Sequence, residues 1–203
     1  MRTPTNRARR AGFSLTELVA AIAVFSVVGY ALAGSVDLAN RAQVTVSSTI
    51  DRNVALRKAA TRLRAELKST GDARIAIATL QDQNHSLTFQ VPISVAGVAG
   101  WGAFDPRLGP AEVHQNLVNG VIRYTVTVAP NNGARQLVRQ VIDAGGATRR
   151  SDVLVRNLAP GGGTAPGFSL QQVGDLWQVQ ITQERRDGGA ATTEEFHVRT
   201  RNE

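Results

Sequence analysis

Apolar and polar positions repeat with two different periods along the chain, and the change of period divides it. Leu18 to Val36 is a run of 19 residues without a charge. Residues 37–70 contain neither proline nor glycine, and their apolar positions recur at three- and four-residue steps, as on one helical face. These positions are Val46, Ile50, Val54, Leu56, Ala60, Leu63 and Leu67. After residue 71 apolar residues instead alternate with polar ones, which is the period of β-strands.

The first pattern predicts one long helix from Phe13 to about Thr70. Gly71 and Asp72 are a suitable stop signal, and Lys68 in the last turn suits the helix dipole. A helix of that length cannot be buried within a small domain. We therefore expect its first half to lie in lipid or among other protein chains, and its second half to pack on the domain that follows.

The second pattern predicts a β-rich head over residues 72–203. Asn131-Asn132-Gly133 has the residues of a hairpin turn, and Ala144-Gly145-Gly146 predicts the next turn. A glycine-rich loop begins at Pro160. The predicted strands are Ala73–Leu80, Ser86–Ile93, Val121–Val128, Gln136–Ile142, Asp152–Leu158, Leu176–Glu184 and Glu195–Thr200.

The uncharged run is long enough to cross a membrane. As a helix its 19 residues cover roughly 28 Å, about the thickness of the hydrocarbon core. Four arginines precede the run and Asp37 follows it. The positive-inside rule then predicts a cytoplasmic N-terminus, with everything after Asp37 on the opposite side of the membrane.

The net charge of +7 makes the chain a candidate for binding nucleic acid, but the positions of the charges argue against this. Here residues 1–12 carry an excess of four positive charges, residues 13–71 an excess of three, and residues 72–203 none. The sequence therefore predicts no nucleic-acid partner for the head. The absence of cysteine excludes disulfide bonds, thiolate metal sites and a cysteine nucleophile.

The apolar segment has two general interpretations. It is a cleaved secretory signal if the chain is cut after Ala33, where small residues fit the cleavage pattern. Alternatively it is an ordinary signal anchor. Glu17 counts against the first interpretation, because a carboxylate deep in the bilayer costs roughly 2–3 kcal/mol and a plain signal peptide gains nothing from it.

A third interpretation rests on a resemblance. Arg9-Arg10-Ala11-Gly12 followed by Phe13-Ser14-Leu15-Thr16-Glu17-Leu18 resembles the leader of type IV pilins and type II secretion pseudopilins. The resemblance implies that a prepilin peptidase cuts between Gly12 and Phe13 and methylates the new Phe13 amine. It also implies that Glu17 pairs with the amine of a neighbouring subunit in a filament, which agrees with the need of a buried carboxylate for a cationic partner.

The order of elements in the head resembles the J-type minor pseudopilins and the related minor pilins. That resemblance implies an α+β, pilin-like fold with a long N-terminal helix packed on an antiparallel β-sheet head. Its parts are a leader (1–12), a membrane-spanning and filament-core helix (13–36), an amphipathic stalk helix (37–71) and the head (72–203). The hairpin strand with a central Arg139 and the later strand with Trp177 and Val179 belong to this pattern.

The function that the resemblance implies is structural and not enzymatic. The chain is expected to be a minor pseudopilin near the tip of a short periplasmic filament, anchored in the inner membrane by one span. The expected partners are the prepilin peptidase, other pseudopilins or pilins, the inner-membrane assembly platform and membrane lipid, without a cofactor. The alternatives are a minor pilin of a type IV pilus or DNA-uptake filament, and a secreted β-rich binding module.

Two features of the long helix remain open. Gly29 and Gly34 weaken a helix by roughly 1 kcal/mol each, which predicts either a local unwinding or close packing between helices. The basic residues of the stalk are predicted to contact anionic lipid or acidic neighbours, or simply to face solvent. They are Arg41, Arg52, Arg57, Lys58, Arg62 and Arg64.

No pattern in the head indicates catalysis or a metal. His85, His114 and His197 have no ligand spacing, and the loop from Pro160 to Gly167 lacks the residues that bind phosphate. Asp82, Asn84 and Ser86 resemble part of a calcium loop, but a hairpin turn is the better interpretation.

Residues 94–120 show no clear periodicity and are predicted to be a long irregular loop. Trp101 and Phe104 within it either bind a partner or attach the loop to the head.

Overall fold

The protein, described by a computed structural model, forms one long helix followed by antiparallel sheets, which is a pilin-like α+β architecture. The structure describes residues 14–95, 98–105, 117–161, 166–184 and 190–201. The helix α1 is Leu15–Lys68, and a 3₁₀ turn follows at Asp72–Arg74. The strands are β1 Ile75–Thr79, β2 His85–Phe89, β3 Val91–Val95, β4 Val98–Gly102, β5 Val121–Val128, β6 Arg135–Ile142, β7 Thr148–Arg156, β8 Phe168–Val173, β9 Leu176–Gln183 and β10 Thr192–Val198.

The chain divides into two compact units within α1, Met1–Thr49 and Ile50–Glu203. In the second unit a five-stranded sheet has the order β1-β2-β5-β6-β7, a three-stranded sheet has the order β10-β9-β8, and β3 pairs with β4. All these pairings are antiparallel. Antiparallel neighbours joined by short turns are what the alternating pattern and its turn residues predict.

One hydrophobic core joins the last part of α1 to both larger sheets. The helix contributes one stripe, consisting of Leu56, Ala59, Ala60, Leu63 and Leu67. The sheets contribute the inward side chains of alternating strand positions, among them Leu87, Ile122, Leu137, Val179 and Phe196. The apolar stripe of the helix and the inward faces of the strands therefore pack together in one hydrophobic core.

Several predicted elements need correction. The predicted strand Ser86–Ile93 is two strands, because the chain leaves the five-stranded sheet at Gln90 and pairs with β4 instead. The segment 94–120 is not irregular throughout, since it contains β4. Glycines at 100 and 102 hide the strand period there, and Gly102 lies so close to the Leu117 carbonyl that a Cβ would clash.

Other strands were predicted with wrong bounds or missed. Strand β7 starts at Thr148, four residues before the predicted start, and β10 covers Thr192–Val198 and not Glu195–Thr200. Strand β8 was not predicted, since it directly follows the glycine-rich loop. The first glycine of that loop, Gly161, is buried against the Asp82 backbone, so this position has no room for a Cβ.

Candidate functional site

The start of α1 positions Glu17 by a capping box. The Ser14 N–H donates to Glu17 Oε2 at 2.9 Å, and the Glu17 N–H donates to Ser14 Oγ at 3.3 Å. Ser-x-x-Glu is the sequence that makes this reciprocal pair, because each side chain satisfies an N–H that has no partner in the first helical turn. Ser14 Oγ also lies 3.2 Å from Glu17 Oε2. Within the described residues Glu17 Oε1 accepts no hydrogen bond, so this oxygen remains available to a cation.

The first part of α1 carries an apolar surface that the described residues leave exposed. Leu15, Phe25 and Tyr30 are each more than three-quarters exposed. The helix contains a segment long and apolar enough to cross a membrane, and nothing in that segment is buried. The helix remains α-helical through Gly29 and Gly34, so the predicted unwinding there is wrong. Apart from the neighbouring residues of the helix itself, no atom of the described residues lies within 4 Å of a Cβ built at either glycine. Close packing against a helix of another chain is therefore the interpretation that remains for them.

A buried charge cluster lies between the last part of α1 and the sheet; we use this term for Arg62, Glu66, Asp105, Tyr124 and Arg139. The Arg139 guanidinium on β6 is inaccessible to solvent and lies 2.8 Å from both Glu66 Oε1 and Asp105 Oδ2. Arg62 reaches the same two carboxylates at 3.2 and 3.1 Å. Arg150 adds a longer contact, with its Nε 3.8 Å from Asp105 Oδ2, so three guanidinium groups face the two carboxylates. Such pairing is the condition under which buried charges are tolerated.

Neutral groups complete the buried charge cluster. The Tyr124 hydroxyl donates to Glu66 Oε2 at 2.7 Å, and Arg139 donates to the Phe104 carbonyl at 3.0 Å. Burial and the neighbouring Glu66 carboxylate raise the pKa of Tyr124 well above its usual value, so it remains a donor. Burial alone would lower the pKa of Arg139, but the contacts with Glu66 raise it. At physiological pH Tyr124 therefore stays neutral and Arg139 stays charged.

A second set of polar contacts joins the residues just after α1 to strand β9 and to the C-terminal segment. Asp72 Oδ1 accepts hydrogen bonds from Trp177 Nε1, at 2.9 Å, and from the Thr200 hydroxyl. These bonds, first that from Thr200 and then that from Trp177, lower the pKa of Asp72. The Arg201 N–H donates to the Thr70 carbonyl at 2.9 Å. The segment after β10 is thereby attached to the helix end.

Of the residues singled out from the sequence, Gly12 and Phe13 lie outside the described residues and Glu17 lies at the helix start. His85 accepts the Leu170 N–H on Nδ1, His197 is exposed, and His114 is outside the described residues. Within the described part of the chain no three His, Asp or Glu residues are placed to share a metal ion.

The turn at Asp82 is a hairpin turn, as predicted. Its carboxylate lies 3.0 Å from Arg135 Nε and accepts a hydrogen bond from Asn84. The pKa of Asp82 is lowered: burial acts to raise it, but the bonds from Asn84 and Arg135 outweigh burial. The carboxylate is thus used within the head.

The aromatic residues of the segment 94–120 differ. The Arg74 guanidinium lies over the Trp101 ring, with its Cζ 5.3 Å from the ring centroid. This contact attaches β4 to the residues at the start of β1. Phe104 is half exposed, although its carbonyl binds Arg139. Trp101 therefore attaches the segment to the head, whereas the ring of Phe104 is exposed and accessible to a partner.

The basic residues of the stalk separate into groups. Arg41 pairs with Asp37 on the exposed surface at 2.8 Å, Arg62 belongs to the buried charge cluster, and Arg64 lies over the Phe196 ring. Arg57 and Lys58 are exposed.

Glu66 and Asp105 were missed by sequence reasoning. One signal was present: Arg139 interrupts the apolar pattern of β6, and a charge at an inward strand position requires a buried partner. The identity of the partners was not in the sequence, since Glu66 is 73 residues away from Arg139.

One comparison with known proteins gave a match. Residues 7–29 match the family model described as the prokaryotic N-terminal methylation motif, a range that includes Gly12, Phe13 and Glu17. No curated protein and no solved structure matches the chain. The motif implies processing by a prepilin peptidase and assembly with other pilins, and together with the apolar helix it fits a membrane-anchored protein. The chain thus carries a prepilin-type N-terminal methylation motif, consistent with the type IV pilin-like and pseudopilin family.

Proposed function

We propose that this protein is a minor pseudopilin, a structural subunit of the short periplasmic filament of a type II secretion system. The observation that carries the proposal is the methylation motif at residues 7–29, whose second part is the beginning of the helix that starts at Leu15. In this proposal the leader is removed between Gly12 and Phe13, the Phe13 amine is methylated, and the head lies in the periplasm. The precursor spans the inner membrane once, with a cytoplasmic N-terminus.

Glu17 is the proposed assembly residue. The capping box occupies its Oε2, and Oε1 is available to the methylated amine of a neighbouring subunit. A carboxylate in an apolar filament core needs such a cation, because an unpaired buried charge is strongly unfavourable. The exposed apolar surface of α1 would be covered by lipid before assembly and by other subunits afterwards.

The first experiment replaces Glu17 in the full chain, co-expressed with a prepilin peptidase and the partner subunits. Glu17→Gln keeps an acceptor for the Ser14 N–H but removes the charge, whereas Glu17→Leu removes both. Because the charge pairs with the amine, we expect both variants to insert into the membrane and to enter filaments more than about 100-fold less efficiently. Incorporation is measured by quantifying the subunit in sheared filaments.

Leu18→Ile is the matched control, since it changes the exposed neighbour of Glu17 and leaves both the carboxylate and the capping box in place. Wild-type incorporation of Glu17→Gln would disprove the proposed pairing. Mass spectrometry of the mature N-terminus separates the other interpretations: N-methyl-Phe13 supports the proposal, and a chain starting at Gly34 identifies a cleaved secretory signal.

The second candidate is a minor subunit of a type IV pilus or DNA-uptake filament, which the same motif favours equally. Deleting the gene in its own host distinguishes the two. Loss of protein secretion into the medium supports the pseudopilin, and loss of surface pili or DNA uptake with normal secretion supports the pilin.

A further inference from the structure

A groove runs between the last part of α1 and the edge strand β7. One wall is a helical face formed by Asp51, Val54, Ala55, Lys58, Ala59 and Arg62, and the other is formed by Val153 and Leu154. This depression has a volume of about 470 Å³. Two further depressions share its lining residues and extend it to Ala65 and to Arg156. We call the three together the basic groove.

The floor of the basic groove is apolar and shallow. Val54 and Val153 are 43% and 42% exposed. Ala55 and Ala59 between them are small, so a partner backbone can approach closely. The helical wall from Asp51 to Ala65 is about 21 Å long, or four helical turns.

The rims of the basic groove carry positive charge on both sides. Lys58 stands on the helical side and Arg156 on the strand side, and both are exposed. Among the described residues neither of them forms an ion pair. Arg62 is neutralised within the buried charge cluster, and Asp51 is the acidic member of the described lining.

We propose that the basic groove binds an amphipathic helix of a partner protein, whose apolar stripe is bordered by Asp or Glu. An apolar floor between two basic rims complements that pattern, and a segment of about 14 residues matches the length of the helical wall. A flat lipid surface contacts only the rims, and nucleic acid offers no apolar stripe to the floor. All the lining residues lie between Asp51 and Gln183, so the inference does not depend on N-terminal processing.

The experiment uses the full chain in phosphatidylcholine nanodiscs and a labelled synthetic 14-residue helix with a Leu/Ala stripe bordered by Glu. A second peptide has Lys in place of Glu. We expect the Glu peptide to bind at least tenfold more tightly by fluorescence anisotropy, because only its charges complement the rims. The double variant Lys58→Glu/Arg156→Glu reverses one charge on each rim and is expected to lower that affinity about tenfold. Higher ionic strength is expected to weaken binding to a smaller degree.

Two matched controls test the location. Arg123→Glu reverses an exposed charge on the sheet face opposite to the helix, and it should leave the affinity unchanged. Val153→Asp should weaken binding, whereas Val173→Asp on the β8–β9 hairpin should not. Equal affinity for the two peptides, or an equal loss in Arg123→Glu, overturns the inference. So does a charge reversal that changes only binding to phosphatidylglycerol vesicles, which would identify a lipid surface.

Discussion

The two parts of α1, residues 15–49 and 50–68, use apolar side chains in opposite ways. In the first part they are exposed around the whole helix, as at Leu18, Val27 and Leu38. In the second they form one stripe, where Leu63 and Leu67 have no solvent exposure. The sheets therefore cover the apolar stripe of the second part, whereas the apolar side chains of the first part remain exposed among the described residues. The period of the apolar positions does not decide burial by itself, because Val46, Ile50 and Val54 share the helical spacing but are exposed. Burial in α1 begins at Leu56, where the helix packs on the sheets.

The charged contacts differ in the same way. Arg41–Asp37 in the first part and Arg139–Glu66 in the second both have a nitrogen–oxygen distance of 2.8 Å. The first pair is well exposed, and such pairs contribute about 0–1 kcal/mol. In the second pair Arg139 is fully buried, so removing one partner leaves an uncompensated charge. Equal geometry therefore has unequal consequences.

The largest effect is expected from Arg139→Ala. Loss of this guanidinium leaves Glu66 and Asp105 with Arg62 and the more distant Arg150, both of which are partly exposed. The free energy of unfolding of the head should therefore fall by about 3–5 kcal/mol. Urea unfolding of the full chain in detergent, followed by the fluorescence of Trp101 and Trp177, measures this change. Arg41→Ala is the matched control and should change it by less than about 0.5 kcal/mol. If Arg139→Ala lowered the free energy of unfolding by less than about 0.5 kcal/mol as well, the buried pair would contribute no more to stability than the exposed pair.

A somewhat smaller effect is expected from Leu63→Ala. Truncating this buried side chain leaves a cavity and should cost the head about 2–4 kcal/mol in the same urea experiment. Leu38→Ala removes the same atoms from a side chain that is 71% exposed and should not affect unfolding of the head. If Leu38→Ala destabilised the head as much as Leu63→Ala, the first part of α1 would contribute to the core.

The smallest effect concerns the end of the helix and depends on pH. The lowered pKa of Asp72 means that the unfolded chain binds its proton more readily than the folded chain. This contribution to stability is present above about pH 5 and is lost as the pH falls through the usual carboxyl range and below. Asp72→Asn keeps an acceptor for Trp177 and Thr200 but removes the charge. We expect it to lower Tm by about 2 °C at pH 7 and by less at pH 3.

Asp51→Asn serves as the control for this pH dependence, because Asp51 is an exposed carboxylate that takes no part in the contact with Trp177 and Thr200. An equal decrease in Tm for Asp72→Asn at both pH values would show that the contact with Trp177 and Thr200 stabilises the head independently of the charge.

Sequence patterns predicted the regular elements better than the irregular ones. Strand β5 matches its predicted bounds, Val121–Val128, because both of its faces alternate without interruption. Strand β4 was missed because glycine at positions 100 and 102 carries no polarity signal. The start of β3 was merged with β2, since the sequence does not show that the chain changes sheets at Gln90.

The sequence by itself determined the long helix, the β-rich head and the methylation motif, because each depends on residues close together in the chain. The capping box between Ser14 and Glu17 also belongs to this local class. Only the tertiary structure decided that Arg139 meets Glu66 and Asp105, and that the basic groove forms between α1 and β7. These partners are far apart in the sequence, and their pairing depends on sheet order and on helix rotation, which no local pattern encodes.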